Sequence, residues 1–179
     1  MAKPKVATDW LGDCAGCHMS LLDMDERIVA LLNAVELTSS PITDLKHPPE
    51  SGVDVGVLTG SINNTTNVAV ARLMRKRSKC LVAMGDCAVF GGILSLRNAH
   101  DMKEALTRAY VETESTVDGF IPESEELAKP VRNRSVEQVV PVDVFVPGCP
   151  PSADAIFEAL VALASGQTPV LEGENLKYD

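Results

Sequence analysis

Basic charge is scarce in this chain. Sixteen Lys and Arg stand against 25 Asp and Glu over 179 residues, a net charge of −9, so a polyphosphate partner would be repelled rather than steered in, and nucleic-acid binding is excluded as a function. Long apolar runs are also missing. None approaches the roughly 20 residues of a membrane span, and Met1-Ala-Lys-Pro-Lys5 leads into a short strand instead of a signal-peptide apolar region, so no membrane insertion and a cytoplasmic location are expected. There are no internal repeats. With 45% apolar residues the chain suffices for one domain with a real core and is short for two, so residues 1–179 are read as a single domain. Five cysteines in a reducing compartment argue against a disulfide framework and for metal or redox chemistry.

Four of those cysteines lie in three loops. Cys14-Ala-Gly-Cys17, Gly85-Asp-Cys87 and Pro147-Gly-Cys149-Pro-Pro151 each follow a short apolar run. Strands are expected at Val6–Trp10, Val35–Leu37, Val53–Leu58, Lys79–Met84 and Val142–Val146, and helices at about Met19–Leu32, Asn67–Lys76 and Ser152–Ala164. In the first helix Leu21, Leu22, Ile28, Val29 and Leu32 recur at helical spacing and are expected to face the core. Arg72, Arg75, Lys76 and Arg77 suit the carboxyl end of the second helix, and Pro151 and Gly166 bracket the last. The stretch at about 111–140 is an acidic insertion, with Glu112, Glu114, Asp118, Glu123, Glu125 and Glu126 and no periodicity, and is assigned no fixed structure.

Strands alternating with helices predict an α/β fold, a flavodoxin-like doubly wound parallel five-stranded sheet with helices on both faces and strand order 2-1-3-4-5. The carboxyl ends of parallel strands open on one side, so Cys14, Cys17, Cys87 and Cys149 converge at one sheet edge. Four thiolates there suit an iron–sulfur cluster. A thioredoxin-like dithiol would account for Cys14 and Cys17 but has no use for Cys87 and Cys149. Zinc also takes four thiolates, although structural zinc sites usually draw on two tight pairs, and a zinc-binding scaffold stays open as a rival. Cys80, inside an apolar strand, reads as a small buried hydrophobe. His18 could hydrogen-bond a sulfur, move protons or ligate. Trp10 and Met19 are expected to cover the site or an interface, and Asp86 to point to solvent. The loop Thr59–Asn64 carries hydroxyl, glycine and amide groups that could hold a flavin phosphate, making FMN a second candidate cofactor.

The run Thr8-Asp-Trp-Leu-Gly-Asp-Cys14-Ala-Gly-Cys17-His-Met-Ser-Leu-Leu-Asp23, with Gly85-Asp-Cys87-Ala-Val-Phe-Gly-Gly92 and Val146-Pro-Gly-Cys149-Pro-Pro151, resembles the small subunit of nickel-iron hydrogenases. The resemblance is to the cytoplasmic NAD-reducing type, related to the 20-kDa cluster subunit of respiratory complex I, and spans nearly the whole chain. It implies that Cys14, Cys17, Cys87 and Cys149 bind a proximal 4Fe-4S cluster, and that the partners are a nickel-iron large subunit and diaphorase subunits carrying flavin and iron–sulfur clusters. It further implies an electron-transfer role within a hydrogen:NAD oxidoreductase whose hydrogen-activating metals lie in the large subunit. A quinone- or ferredoxin-coupled complex of the same superfamily is the alternative. Complex I relatives carry adjacent cysteines where this chain has Ala15-Gly16 between them, which favours the hydrogenase type. Many hydrogenase small subunits continue into a domain with further clusters, whereas no cysteine follows Cys149 before Asp179, so one cluster is expected. Many relatives also place glutamate before the glycine after the third strand, where this chain has Thr59-Gly60.

Overall fold

The computed structural model describes residues 2–176; Met1 and the end of the chain at Asp179 lie outside the described residues. In chain order the elements are β1 (Lys5–Trp10), α1 (Gly16–Leu22), α2 (Arg27–Ala34), β2 (Glu36–Ser39), β3 (Val53–Thr59), β4 (Ile62–Asn64), α3 (Thr65–Arg77), β5 (Ser78–Met84) and α4 (Asp86–Phe90). A 3-10 helix (Ile93–Ala99), α5 (Met102–Tyr110), β6 (Pro130–Arg134), β7 (Val144–Val146), α6 (Ala153–Ala164) and a 3-10 turn (Gly173–Leu176) follow. Strands β2-β1-β3-β5-β7 form one five-stranded sheet in which every pairing is parallel. This is the predicted order.

Alternating side chains split the core into two layers, as the pleat requires. Val55 and Val57 of β3 and Val82 and Met84 of β5 pack with Met24, Leu31, Ile156 and Leu160 on the face covered by α2 and α6. Leu58, Leu81 and Ala83 point the other way, onto Ala71 and Met74 of α3 and Ala88 of α4. Asn64 caps α3 by accepting from Asn67 N–H at 2.8 Å, and Arg75 near its carboxyl end donates to the carbonyls of Ser78 and Lys79 and pairs with Asp143. Cys80 is half-buried against the first layer, as a strand hydrophobe should be.

Three expectations need correction. The single helix over Met19–Leu32 is two helices, because Asp25 adopts φ +54°, a left-handed conformation that Asp tolerates better than most residues. The turn drops Met24, fully buried, into the core, and Arg27 then closes on Asp154 at 2.7 Å. As a result Leu21 and Ile28 meet the core, while Leu22, Val29 and Leu32 stay exposed. The acidic insertion is also partly regular. Its second half supplies β6, which pairs antiparallel with β4, and Val136 and Val140, both buried in the second layer. Lastly, Ser152 caps α6 by accepting from Ala155 N–H at 3.1 Å, which places Pro151 ahead of the cap instead of in the first turn.

Candidate functional site

Loops leaving the carboxyl ends of β1, β5 and β7 bring Cys14, Cys17, Cys87 and Cys149 to one edge of the sheet. β1 runs past Trp10 into a backbone bridge in which Gly12 and Ser61 each donate N–H to the other's carbonyl at 2.9 Å. Asp13 Oδ1 then accepts from Ala15 N–H at 2.9 Å, and the chain turns through Ala15 at φ +65° into α1, whose first turn carries Cys17. Cys87 lies in the short α4 directly after β5, and Cys149 beyond β7.

The second and third loops are stitched together. Gly85 N–H donates to Val146 O, and Asp86 N–H to Gly148 O, each at 2.8 Å. Gly148 N–H donates in return to Asp86 Oδ1 at 2.8 Å. Asp86 therefore does not point to solvent; its carboxylate is a clamp between the Cys87 and Cys149 loops. Ser20 Oγ, on α1, donates to Pro151 O at 2.6 Å, tying the first loop to the third.

Cys14 and Cys149 are exposed, and Cys17 and Cys87 are half-buried. The Cys17 thiol is pushed up to about 12, first by burial and then by the negative potential of Asp13, Cys87, Cys14 and Cys149. Cys87 is raised for the same reasons, burial first and then Cys149 and Cys14, against a lowering hydrogen bond from Ile93 N–H. Cys14 and Cys149 thus raise both half-buried thiols. Two glycines close against them: a Cβ at Gly85 would overlap Cys17 Sγ, and one at Gly92 would come within 2.5 Å of Cys87 Sγ. Among the described residues no three His, Cys, Asp or Glu side chains are gathered as a single metal ion would require.

His18 turns away from the sulfurs. It is 1% exposed, with Nε2 3.1 Å from Thr8 Oγ1 and Nδ1 3.3 Å from Thr59 Oγ1, and burial holds its pKa below the ordinary imidazole value, against the raising effect of Asp13. Ligation by His18 does not fit this orientation. Trp10 and Met19 are exposed beside the first loop. The flavin reading finds no support, since the hydroxyls that would hold a phosphate are fully buried and engaged. Thr59 donates to Asp13 Oδ2 at 2.5 Å, and Ser61 to Asn133 Oδ1 at 2.6 Å.

Sequence reasoning missed Asn133. Its side-chain amide donates to Gly91 O and Ser95 Oγ, both at 2.9 Å, and with Ser61 it pins the chain following Cys87 to the β4–β6 layer. No local pattern announces it, because the pairing of β4 with β6 that places it is non-local.

A parallel five-stranded α/β sheet with four thiols on the loops that follow three of its strands defines a flavodoxin-like fold with a cysteine-bearing edge. Residues 14–163 match the family described as NADH ubiquinone oxidoreductase, 20 Kd subunit, and the chain belongs to that family. It is 37% identical to the NAD-reducing hydrogenase HoxS subunit delta of Cupriavidus necator, over 99% of this chain and 86% of that one. It is 36% identical to a subunit of the F420-non-reducing hydrogenase of Methanothermobacter thermautotrophicus, over 97% of this chain and 58% of the relative. A solved structure of an NAD+-reducing [NiFe]-hydrogenase in the H2-reduced state superposes with a TM-score of 0.94 at 35% identity, covering 99% of both chains. The hydrogenase resemblance read from the three cysteine motifs is thus borne out.

Proposed function

We propose that this chain is the electron-transfer small subunit of a cytoplasmic nickel-iron hydrogenase, relaying electrons from a hydrogen-activating site in a separate large subunit toward a NAD-reducing diaphorase module. The observation that carries this reading is the convergence of Cys14, Cys17, Cys87 and Cys149 on one sheet edge, with glycines pressed against two of the sulfurs. These four residues would hold a 4Fe-4S cluster, which when bound supplies reversible one-electron storage. The donor set fits such a group in kind: four thiols carried by three loops.

The residues around the thiols suit that task. Gly85 and Gly92 leave room for sulfur where any side chain would intrude. The Asp86–Gly148 clamp fixes two ligand loops relative to each other. Because Cys17 and Cys87 are raised, loading metal displaces thiol protons and is favoured as pH rises. Beside the cysteines, Phe90, Ile93 and Leu96 are 67%, 76% and 70% exposed. Apolar side chains this open, following Cys87 directly, suit contact with the large subunit.

The test is Cys87→Ser in the assembled complex, assayed for hydrogen-driven NAD reduction. Loss of that activity, with the subunits still co-purifying, is expected; full activity would overturn the assignment.

A further inference from the structure

Helix α5 keeps its apolar side open. Met102, Ala105, Leu106, Ala109 and Tyr110 fall on one side of its turns, yet none of its residues is buried, whereas α6 buries four. Leu106 and Tyr110, one turn apart, form one wall of a groove of about 860 Å³, and the irregular chain at 121–130 forms the other, with Ile121 and Leu127. Tyr110 is 46% exposed and Leu127 50%.

The groove is bordered by uncompensated negative charge. Between Arg108 and Lys129 stand six carboxylates, Glu112, Glu114, Asp118, Glu123, Glu125 and Glu126, and no Lys or Arg. Among the described residues none of the six is in an ion pair, and Arg108 donates instead to the Glu112 carbonyl at 3.2 Å. Glu123 and Glu125 line the groove itself, against one cation, Lys129. An occupant that brings positive charge is therefore steered in and its orientation selected, while one that brings negative charge is turned away.

We propose that this groove is a docking surface for a segment of a partner protein that carries apolar side chains flanked by Lys or Arg. Every polar side chain lining the groove is exposed. A small-molecule site fixes its ligand with a few polar groups held in place, so the groove suits the side chains of another protein instead. A second copy of this chain, itself at −9, would be repelled on approach. The apolar walls supply the contact, with Tyr110 as its anchor, since aromatic side chains carry a large share of interface energy. The carboxylates discriminate between partners and speed the encounter. The acidic insertion thus gains a use, and that use does not depend on what the cysteines hold.

The experiment uses the complex purified through this chain, with carboxylate footprinting by carbodiimide and glycine ethyl ester, and mass photometry over a dilution series. In the wild-type complex Glu123 and Glu125 should label severalfold more slowly than Glu50, whose side chain is 94% exposed. Tyr110→Ala should raise the dissociation constant of the partner about tenfold. The double variant Glu123→Gln, Glu125→Gln should assemble more weakly than wild type at low salt and match it at high salt, where the field is screened. Labelling of Glu123 and Glu125 as fast as Glu50 would overturn the proposal. So would a glutamine pair that assembles like wild type at low salt, or an unchanged dissociation constant in folded Tyr110→Ala; if that variant melts early, Leu127→Ser takes its place under the same criterion. Dilution that releases only a second copy of this chain, or a chain that purifies alone, would overturn it too. Iron content reports separately on the cluster reading: an iron-free complex with a protected groove would sink that reading and leave this one standing.

Discussion

Gly85→Ala is the perturbation to which the cysteine edge should respond most sharply. Gly85 sits between β5 and α4 at φ +88° and ψ +155°, a region open essentially to glycine alone, and a side chain held there costs about 1–3 kcal/mol. For a chain of this size each kcal/mol lowers Tm by about 2–4 °C, so the backbone cost alone predicts a fall of roughly 2–12 °C. The new Cβ would also overlap Cys17 Sγ. Rotating the backbone to relieve the overlap would sacrifice the 2.8 Å bond from Gly85 N–H to Val146 O, so the sulfur must move. Gly166 supplies a comparison, because it also has positive φ, +74°, with nothing within 4 Å of where a Cβ would sit, and Gly166→Ala carries a positive-φ cost without any clash. Thermal unfolding and iron per chain, measured in parallel, should show Gly85→Ala melting below Gly166→Ala and holding less iron. Equal melting and equal iron in the two variants would refute the idea that Gly85 is there to make room for the Cys17 sulfur.

Other parts of the molecule give independent tests. Asp86→Ala should cost about 1–3 kcal/mol in urea unfolding, because Gly148 N–H loses its acceptor, while Asp86→Asn, which retains Oδ1, should recover most of the loss; indistinguishable midpoints would contradict the clamp. Met24→Ala should cost about 2–5 kcal/mol by opening a cavity in the first core layer, and a loss below about 1 kcal/mol would mean that the Asp23–Glu26 turn does not anchor the core. In metal-stripped protein at pH 8, with the Cys17 thiol near 12, only about one Cys17 in 10,000 is thiolate. Iodoacetamide followed by peptide mass mapping should therefore label exposed Cys14 and Cys149 well before Cys17, and equal rates would argue against the described burial. Asp54 is held below the ordinary carboxylate value by the hydrogen bond from Lys79 and then by Lys5 N–H. A lowered carboxylate contributes stability that is present above its unfolded value of about 3.9 and is lost as pH falls through the lower folded value. Asp54→Asn should thus flatten the acid limb of a stability–pH curve slightly, the effect being small at an exposed pair; a steeper acid limb would reverse the sign.

Much of the architecture is legible because it is written in local patterns. Five short apolar runs supply the strands of the sheet in their observed order, and three cysteine loops following three of those runs place four thiols at one edge. What cannot be read depends on distant partners. Nothing local to Asp86 reveals that its carboxylate meets Gly148 N–H, 62 positions away. His18, beside a ligand cysteine, reads as part of the metal site until the fold sets Thr8 and Thr59 on either side of its ring. The break between α1 and α2 turns on one residue, Asp25, whose left-handed backbone is only weakly encoded in an otherwise helical periodicity. The insertion reads as featureless because β6 is stabilised by β4, a partner outside the insertion, and has little alternation of its own.

Cluster binding by the four cysteines is tested most directly by metal analysis of the anaerobically purified complex, with acid-labile sulfide assay and paramagnetic resonance of the dithionite-reduced sample, comparing wild type with Cys149→Ala. Wild type should hold about four irons and four sulfides at this subunit's site, with a reducible signal that Cys149→Ala diminishes or abolishes. Zinc in place of iron, or a reducible signal unchanged by Cys149→Ala, would contradict it.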